Sequence, residues 1–248
     1  MIALIAAVAL ETELLRPALE PAAESESGPF DFFRGTVAGH PVVLLHCGVG
    51  KANAAAGTAV LLGRTRPAMV VNLGCGGAYP GSGLEVGDIA LASEEIHGDE
   101  GVDTPGGFLD MAALDLPLAV SGGRRFFNRL PVDGAALARA RRALGATLES
   151  GGARLGVGPF VTVSTGSGTD FRAAALARRW AGVCENMEGA AIAQVCLRYA
   201  VPFLEVRGIS NPTGNRDMQR WDLKRGAEAA QVACRDILSL WPRAQEPT

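Results

Sequence analysis

Glu188 and Asn211 are polar side chains set among apolar neighbours, in the stretch Cys184 to Asn211. Glu188 lies near the start of a predicted helix. Ala191, Ile192, Val195 and Tyr199 follow it at helical spacing, so the carboxylate heads the apolar stripe. The helix dipole favours a first-turn carboxylate wherever it points. Its place on the buried stripe is what marks Glu188 for binding. Asn211 closes an apolar strand, and its amide carries both an acceptor and a donor. Glu11 and Glu13 follow the first apolar run. One of them could be a solvated helix-start carboxylate. Beside a dry cleft at a strand's carboxyl end, either could have a raised pKa and act as a base.

Two glycine-rich runs flank these groups. Gly74–Cys75–Gly76–Gly77 lets the backbone approach a ligand, with an ordinary tight turn as the plain alternative. Cys75 invites reading as a nucleophile, but no histidine stands near it in sequence. Gly48–Val49–Gly50–Lys51 lacks the spacing of a phosphate loop, and Ala52 stands where Ser or Thr would hold magnesium. A tight strand-to-helix turn is expected there. Glu205 and Arg207 share one face of the last strand and could pair, which makes Arg207 structural support.

The elements that must position these groups alternate. Apolar runs predict strands at Ile2 to Val8, Pro41 to Leu45, Met69 to Leu73, Gly87 to Ala92, Val161 to Ser164 and a last one ending at Ser210–Asn211. Helices are predicted at about Ala52 to Leu62, Asp133 to Leu144, Asp170 to Trp180, from 186–188 onward, and Asp222 to Leu240, with Asp133 and Asp170 as caps. Glu11 to Leu19 reads as a short helix or turn, and residues 20–35 as a loop or hairpin edge. His97 to Asn128 is irregular, and so long a segment is expected to be functional. The alternation predicts an α/β domain with a mostly parallel sheet, partly closed into a barrel. Ligands bind outside the carboxyl ends of such strands. Those ends carry Glu11–Glu13, Cys47–Gly50, Gly74–Gly77, Ser164–Thr169 and Ser210–Asn211.

The totals exclude other classes. The chain has 248 residues, 48% hydrophobic and 20% charged, which is globular composition for one large domain. A net charge of −3 gives no nucleic-acid surface. The apolar start has no basic flank and runs into Glu11 and Glu13, so a buried strand is expected rather than a targeting signal. No run reaches membrane-spanning length. Five cysteines without tight spacing argue against disulfides and zinc, and a cytoplasmic location is expected.

Four blocks together resemble the nucleoside phosphorylase and nucleosidase superfamily: Glu11–Thr12–Glu13, NLGCGGAYPGSGLEVGDIALAS (Asn72–Ser93), ENMEGAAIAQVC (Glu185–Cys196) and VRGISN (Val206–Asn211). The resemblance spans nearly the whole chain, residues 1–248 as one domain. It implies an α/β fold with a central mixed, barrel-like sheet flanked by helices. It further implies a purine nucleoside site without metal or cofactor, and a homo-oligomer whose partner subunit often completes that site. Carried over by position, Glu188 binds the ribose hydroxyls with Met187 against the sugar. Asn211 faces the purine N7 edge, and Glu13 activates water. Cys75 and Gly76 line the sugar and water side, and Thr169 lies near the base.

Two departures narrow the expectation. Related hexameric phosphorylases carry a phosphate-gripping arginine where this chain has Asn72, which favours water as the nucleophile. Nucleosidases acting on adenine have an aspartate at Asn211. An amide suits a 6-oxopurine, since its NH₂ can meet O6 while its carbonyl receives an N7 proton. The run RGISNPTGNRD followed by Trp221 resembles the futalosine hydrolases. That resemblance implies release of hypoxanthine from futalosine in menaquinone biosynthesis. The aromatic carboxylate at the 5′ end of futalosine makes Phe126, Phe127, Arg124 and Arg125 candidates for its pocket. The rival expectations are a 5′-methylthioadenosine/S-adenosylhomocysteine nucleosidase, an inosine-type purine nucleoside phosphorylase and a binding protein without turnover.

Overall fold

The computed structural model describes residues 1–19, 23–24, 29–148 and 152–242. The first half runs β1 (Ile2–Ala6), β2 (Ala23–Glu24), β3 (Asp31–Val37), β4 (His40–His46), α1 (Lys51–Arg64), β5 (Val70–Ala78) and β6 (Ile89–His97). Short strands follow: β7 (Gly101–Thr104), β8 (Gly107–Asp110), β9 (Ala119–Ser121), β10 (Arg124–Phe126) and β11 (Arg129–Pro131). The second half runs α2 (Gly134–Leu148), β12 (Leu155–Thr162), α3 (Asp170–Trp180), β13 (Cys184–Asn186), α4 (Gly189–Tyr199), β14 (Phe203–Pro212) and α5 (Leu223–Ser239). Part of the loop expected over 20–35 lies outside the described residues.

The sheet is mixed and closes on itself. β14 pairs parallel with β5 and antiparallel with β6. From β6 the ladder returns through β12 and β13 to β5, which completes a ring of five strands. Beyond β5 the sheet continues open through β1, β4 and β3. The barrel interior is filled by Ala78, Ala90, Ala92, Phe160, Cys184 and Ile209, drawn from all five ring strands. Closure explains why these strands read as continuous apolar runs: both faces are covered. Leu204 and Val206 of β14 pack outward with Ile237 and Leu238 of α5. Ala190 and Ile192 of α4 pack with Leu61 of α1 and Ile5 of β1.

Period-2 alternation therefore aims Glu205, Arg207 and Ile209 of β14 inward, a direction that for the two charged residues needs partners on the spot. Several elements differ from expectation. Gly74–Gly77 lies inside β5 rather than in a turn after it. The irregular segment from His97 holds two small hairpins, β7–β8 and β9–β10. The cap of α3 is Thr169, one residue before the expected Asp170. Asp133 caps α2 as expected, accepting from Ala136 N at 2.8 Å, and Asp222, expected as the start of the last helix, is the cap of α5 and accepts from Arg225 N at 2.9 Å. Among the described residues all five cysteines are free, and no helix is long and apolar enough to cross a membrane.

Candidate active site

A cavity of about 620 Å³ opens at the carboxyl ends of β1, β5 and β14, beside the start of α4. Glu11, Cys75, Gly76, Met187, Glu188 and Asn211 all line it. Glu188 sits at the cap position of α4, buried, with φ of −127° and ψ of −38° and no capping bond from its own side chain. Asn186 takes over that duty. Its Oδ1 accepts from Glu188 N at 3.1 Å and Gly189 N at 2.9 Å, satisfying donors at the helix start. The Glu188 carboxylate is thereby free to reach elsewhere. Its Oε1 accepts from Gly50 N at 2.9 Å, and its Oε2 from Arg207 Nη2 at 3.4 Å. The Gly48–Lys51 turn thus supplies a backbone donor to the site, a role that its spacing did not reveal.

The early acidic cluster resolves against expectation. Glu13 is exposed and does not line the cavity. Glu11 does, because the 3₁₀ turn Ala9–Thr12 after β1 brings its carboxyl back over the strand end. Glu11 Oε2 accepts from Ala7 N at 2.9 Å and Val8 N at 3.2 Å, and Oε1 from Cys75 N at 2.8 Å. Burial holds this carboxyl above its ordinary pKa, and the neighbouring Glu188 pushes the same way. Arg207 and the amides of Cys75 and Val8 oppose them. Gly74 makes the contact possible, since a Cβ there would collide with Glu11 Oε1 and fall 2.9 Å from Arg207 Nη1. Cys75 is no nucleophile in this setting. Burial and then Glu11 push its thiol up to about 12, so it stays protonated.

Arg207 ties the carboxylates together. It donates from Nε to Glu205 Oε1 at 2.6 Å, from Nη1 to Cys75 O at 2.9 Å, and from Nη2 to Glu188. Burial opposes its charge, but Glu205, Glu188 and Glu11 offset this and raise its pKa. Behind it lies a second carboxyl pair. Glu95 and Glu205 are both fully buried, and a Cβ on Gly189 would collide with Glu205 Oε2 and stand 2.6 Å from Glu95 Oε2. No donor from elsewhere in the described residues reaches those oxygens. Burial, and next the charge of Glu205, raises the Glu95 pKa well above the carboxylate range. Burial beside Glu205 thus favours the protonated form of Glu95.

At the other end of the cavity, Asn211 Oδ1 accepts from Ser210 Oγ at 2.8 Å, and Nδ2 donates to Pro212 O at 3.1 Å. One N–H and one lone pair remain for a ligand. Thr165 to Gly168 line the cavity, held by Glu185, which accepts from Ser167 N at 2.8 Å and Ser167 Oγ at 2.6 Å. Thr169 does not line it: its hydroxyl is used as the cap of α3, accepting from Arg172 N at 3.2 Å. Arg124, Arg125, Phe126 and Phe127 line a different cavity, of about 580 Å³, with Asp110 and Trp180. They are not in the Glu188 cavity. Arg216, Trp221 and Leu223 are.

Two buried carboxyl groups, Glu11 and Glu188, and the Asn211 amide thus converge on one cavity. A family model described as the phosphorylase superfamily matches residues 1–239. The chain belongs to that superfamily. It is 36% identical over 236 residues to the futalosine hydrolase of Thermus thermophilus, covering 94% of this chain and 98% of that one. It is 32% identical over 223 residues to the 5′-methylthioadenosine/S-adenosylhomocysteine nucleosidase of Bacillus thuringiensis, covering 89% and 90%. The crystal structure of the corresponding nucleosidase from Neisseria meningitidis, in complex with methylthio-immucillin-A, superposes with a TM-score of 0.82 at 28% identity. That superposition covers 96% of this chain and 98% of that one.

Proposed function

We propose that the protein is an N-glycosidic bond hydrolase that cleaves futalosine to hypoxanthine and dehypoxanthinyl futalosine, a step of menaquinone biosynthesis. The observation that carries the reading is the Asn211 amide lining the same cavity as Glu188. Its free N–H meets a purine O6, and its free lone pair receives an N7 proton; a carboxylate there would repel O6. The 36% identity to a futalosine hydrolase supports the same choice.

In this reading Glu188 orients the ribose hydroxyls, with Met187 against the sugar and Cys75 and Gly76 beside it. The C1′–N9 bond breaks with its electron pair passing to the purine, leaving an oxocarbenium-like sugar. Water adds its oxygen to C1′ and gives a proton to Glu11, the departing purine anion takes up a proton from solvent, and Glu11 returns its proton to solvent. The net change is addition of one water. Burial that raises the pKa of Glu11 makes it a stronger base. Arg207 cannot serve as a phosphate grip, because Glu205 and Glu188 already hold its guanidinium. In this reading water is the nucleophile, and the assay without phosphate tests it. The same reading makes the protein a homo-oligomer, and exposed Val102, Leu109, Leu116 and Val120 offer apolar surface for that contact.

The test is to incubate the protein with futalosine, inosine and 5′-methylthioadenosine, with and without phosphate, and to identify the released base. Hypoxanthine from futalosine without phosphate is expected. The second reading, a methylthioadenosine/S-adenosylhomocysteine nucleosidase, is favoured by the Bacillus and Neisseria relatives. Adenine from methylthioadenosine with no cleavage of futalosine would decide for it.

A further inference from the structure

Glu185 lines the same cavity as Glu188 and Asn211, where it holds the wall that carries Ser167. Its hydrogen bonds among the described residues are all with neutral donors. Oε2 accepts from Ser167 Oγ at 2.6 Å and from Tyr79 Oη at 2.8 Å, which fills both of its lone pairs. Oε1 accepts from Ser167 N alone, at 2.8 Å. One carboxylate lone pair is therefore left over, on a half-buried side chain at the cavity wall.

The sheet sets this group opposite Asn211. Glu185 of β13 and Asn211 of β14 both pair with Gly77 of β5, from its two sides. Adjacent strands lie about 4.8 Å apart, so the two Cα atoms stand about 10 Å apart across Gly77. Gly77 lines the cavity between them, and a Cβ on it would fall 2.8 Å from Thr213 Cγ2 and 3.2 Å from Asn211 Nδ2. The missing side chain keeps the gap between the two polar groups open to a flat ring.

We propose that Glu185 is a second selector of the base, accepting the N1–H of a 6-oxopurine through Oε1 while Asn211 takes the neighbouring O6 and N7. The inference rests on the 6-oxopurine reading and adds the group that reads the next position on the ring. Along the edge of hypoxanthine N7, O6 and N1–H follow one another. The free N–H and lone pair of Asn211 serve the first two, and the free lone pair of Glu185 serves the third. In adenine N1 carries a lone pair in place of a proton, and a carboxylate facing it would repel it. A site built to hydrogen-bond a ring N–H rejects the analogue that lacks it.

The experiment measures dissociation constants by calorimetry for three free bases: hypoxanthine, adenine and 1-deazahypoxanthine, in which C–H replaces N1–H while the oxo group and the imidazole ring stay. Each is titrated into the parent, Glu185→Gln and Ser167→Ala. The parent should hold hypoxanthine at least about tenfold more tightly than the deaza base, the scale of one hydrogen bond to a charged group. Glu185→Gln keeps the shape, loses the charge and can turn an NH₂ toward a bare N1. It should shrink the hypoxanthine-to-deaza ratio by about threefold or more and the hypoxanthine-to-adenine ratio by at least about tenfold. Ser167→Ala loosens the wall and leaves the carboxylate, so it should weaken all three bases together and hold both ratios within about twofold. A role confined to holding the wall would give the two variants one pattern. Equal affinity of the parent for hypoxanthine and the deaza base, ratios that Glu185→Gln leaves unchanged, ratios that Ser167→Ala alters as much, or no binding of any base overturns the inference. A parent that prefers adenine sinks the 6-oxopurine reading, while the deaza comparison, made between two 6-oxo bases, still decides for or against Glu185.

Discussion

Glu11 reaches from the turn after β1 to the backbone of β5, where its Oε1 accepts the Cys75 amide at 2.8 Å. That bond holds one carboxylate of the early acidic pair over the cavity while Glu13 faces solvent. Removing a positioned general base lowers turnover by about 10²–10⁴. Glu11→Gln should therefore reduce kcat on the cleaved nucleoside by at least about 10², and Glu13→Gln should leave it within about twofold. The reverse order, or no loss in either variant, would exclude Glu11 as the base.

The same contact sets a pH profile. A base must be ionised, and burial raises the pKa of Glu11 above that of an ordinary carboxylate. The acid limb of kcat/KM should accordingly fall at a higher pH than the usual glutamate range near 4.3. Initial rates across pH 4 to 8, with stability monitored in parallel, measure it. A limb at the ordinary glutamate value would show that Glu11 titrates as if solvated.

The outline of this site was legible and its details were not, for physical reasons. Strands β1, β4 and β14 announce themselves because both faces are buried, and Glu188 because it heads an apolar stripe. The choice between Glu11 and Glu13 depends on a short 3₁₀ turn that holds Glu11 and ends just before Glu13, and no periodicity fixes that. Gly74–Gly77 reads as a turn but is strand, because its missing side chains make room for Glu11 and Arg207. Thr169 and Phe126 lie outside this cavity for different reasons. A helix cap claimed the first, and the hairpins after β6 carry the second to another cavity, a long-range placement with no local signature.

On the proposed reading Asn211 selects the base. Asn211→Asp keeps the volume but replaces the N–H with a carboxylate oxygen. Against hypoxanthine that leaves O6 facing negative charge, whereas adenine offers an N6 donor in the same place. The ratio of kcat/KM for hypoxanthine to adenine release should fall by at least about tenfold, the scale of one hydrogen bond to a charged group. Competing inosine and adenosine derivatives in one reaction gives the ratio directly. An unchanged ratio would remove Asn211 as the selector.

Glu95 and Glu205 make a prediction about stability rather than rate. Arg207 and Asn186 donate to Glu205 Oε1, but no donor among the described residues reaches Glu205 Oε2 or either oxygen of Glu95, and the raised pKa of Glu95 favours a proton there. In the unfolded chain that glutamate titrates near the ordinary value of about 4.3. A group whose folded pKa is raised contributes stability that is fully present below the unfolded pKa. That contribution is lost as pH rises toward the folded pKa, because the native state must keep a proton that the unfolded chain releases. Glu95→Gln supplies a permanent neutral donor to Glu205 and removes the dependence. Denaturation of both proteins between pH 4.5 and 8 should show the parent losing stability relative to Glu95→Gln, with a slope of up to about 1.4 kcal/mol per pH unit. A difference that stays flat across that range would mean that Glu95 is ionised in the folded protein. Arg207 would then have to balance every carboxylate around it alone.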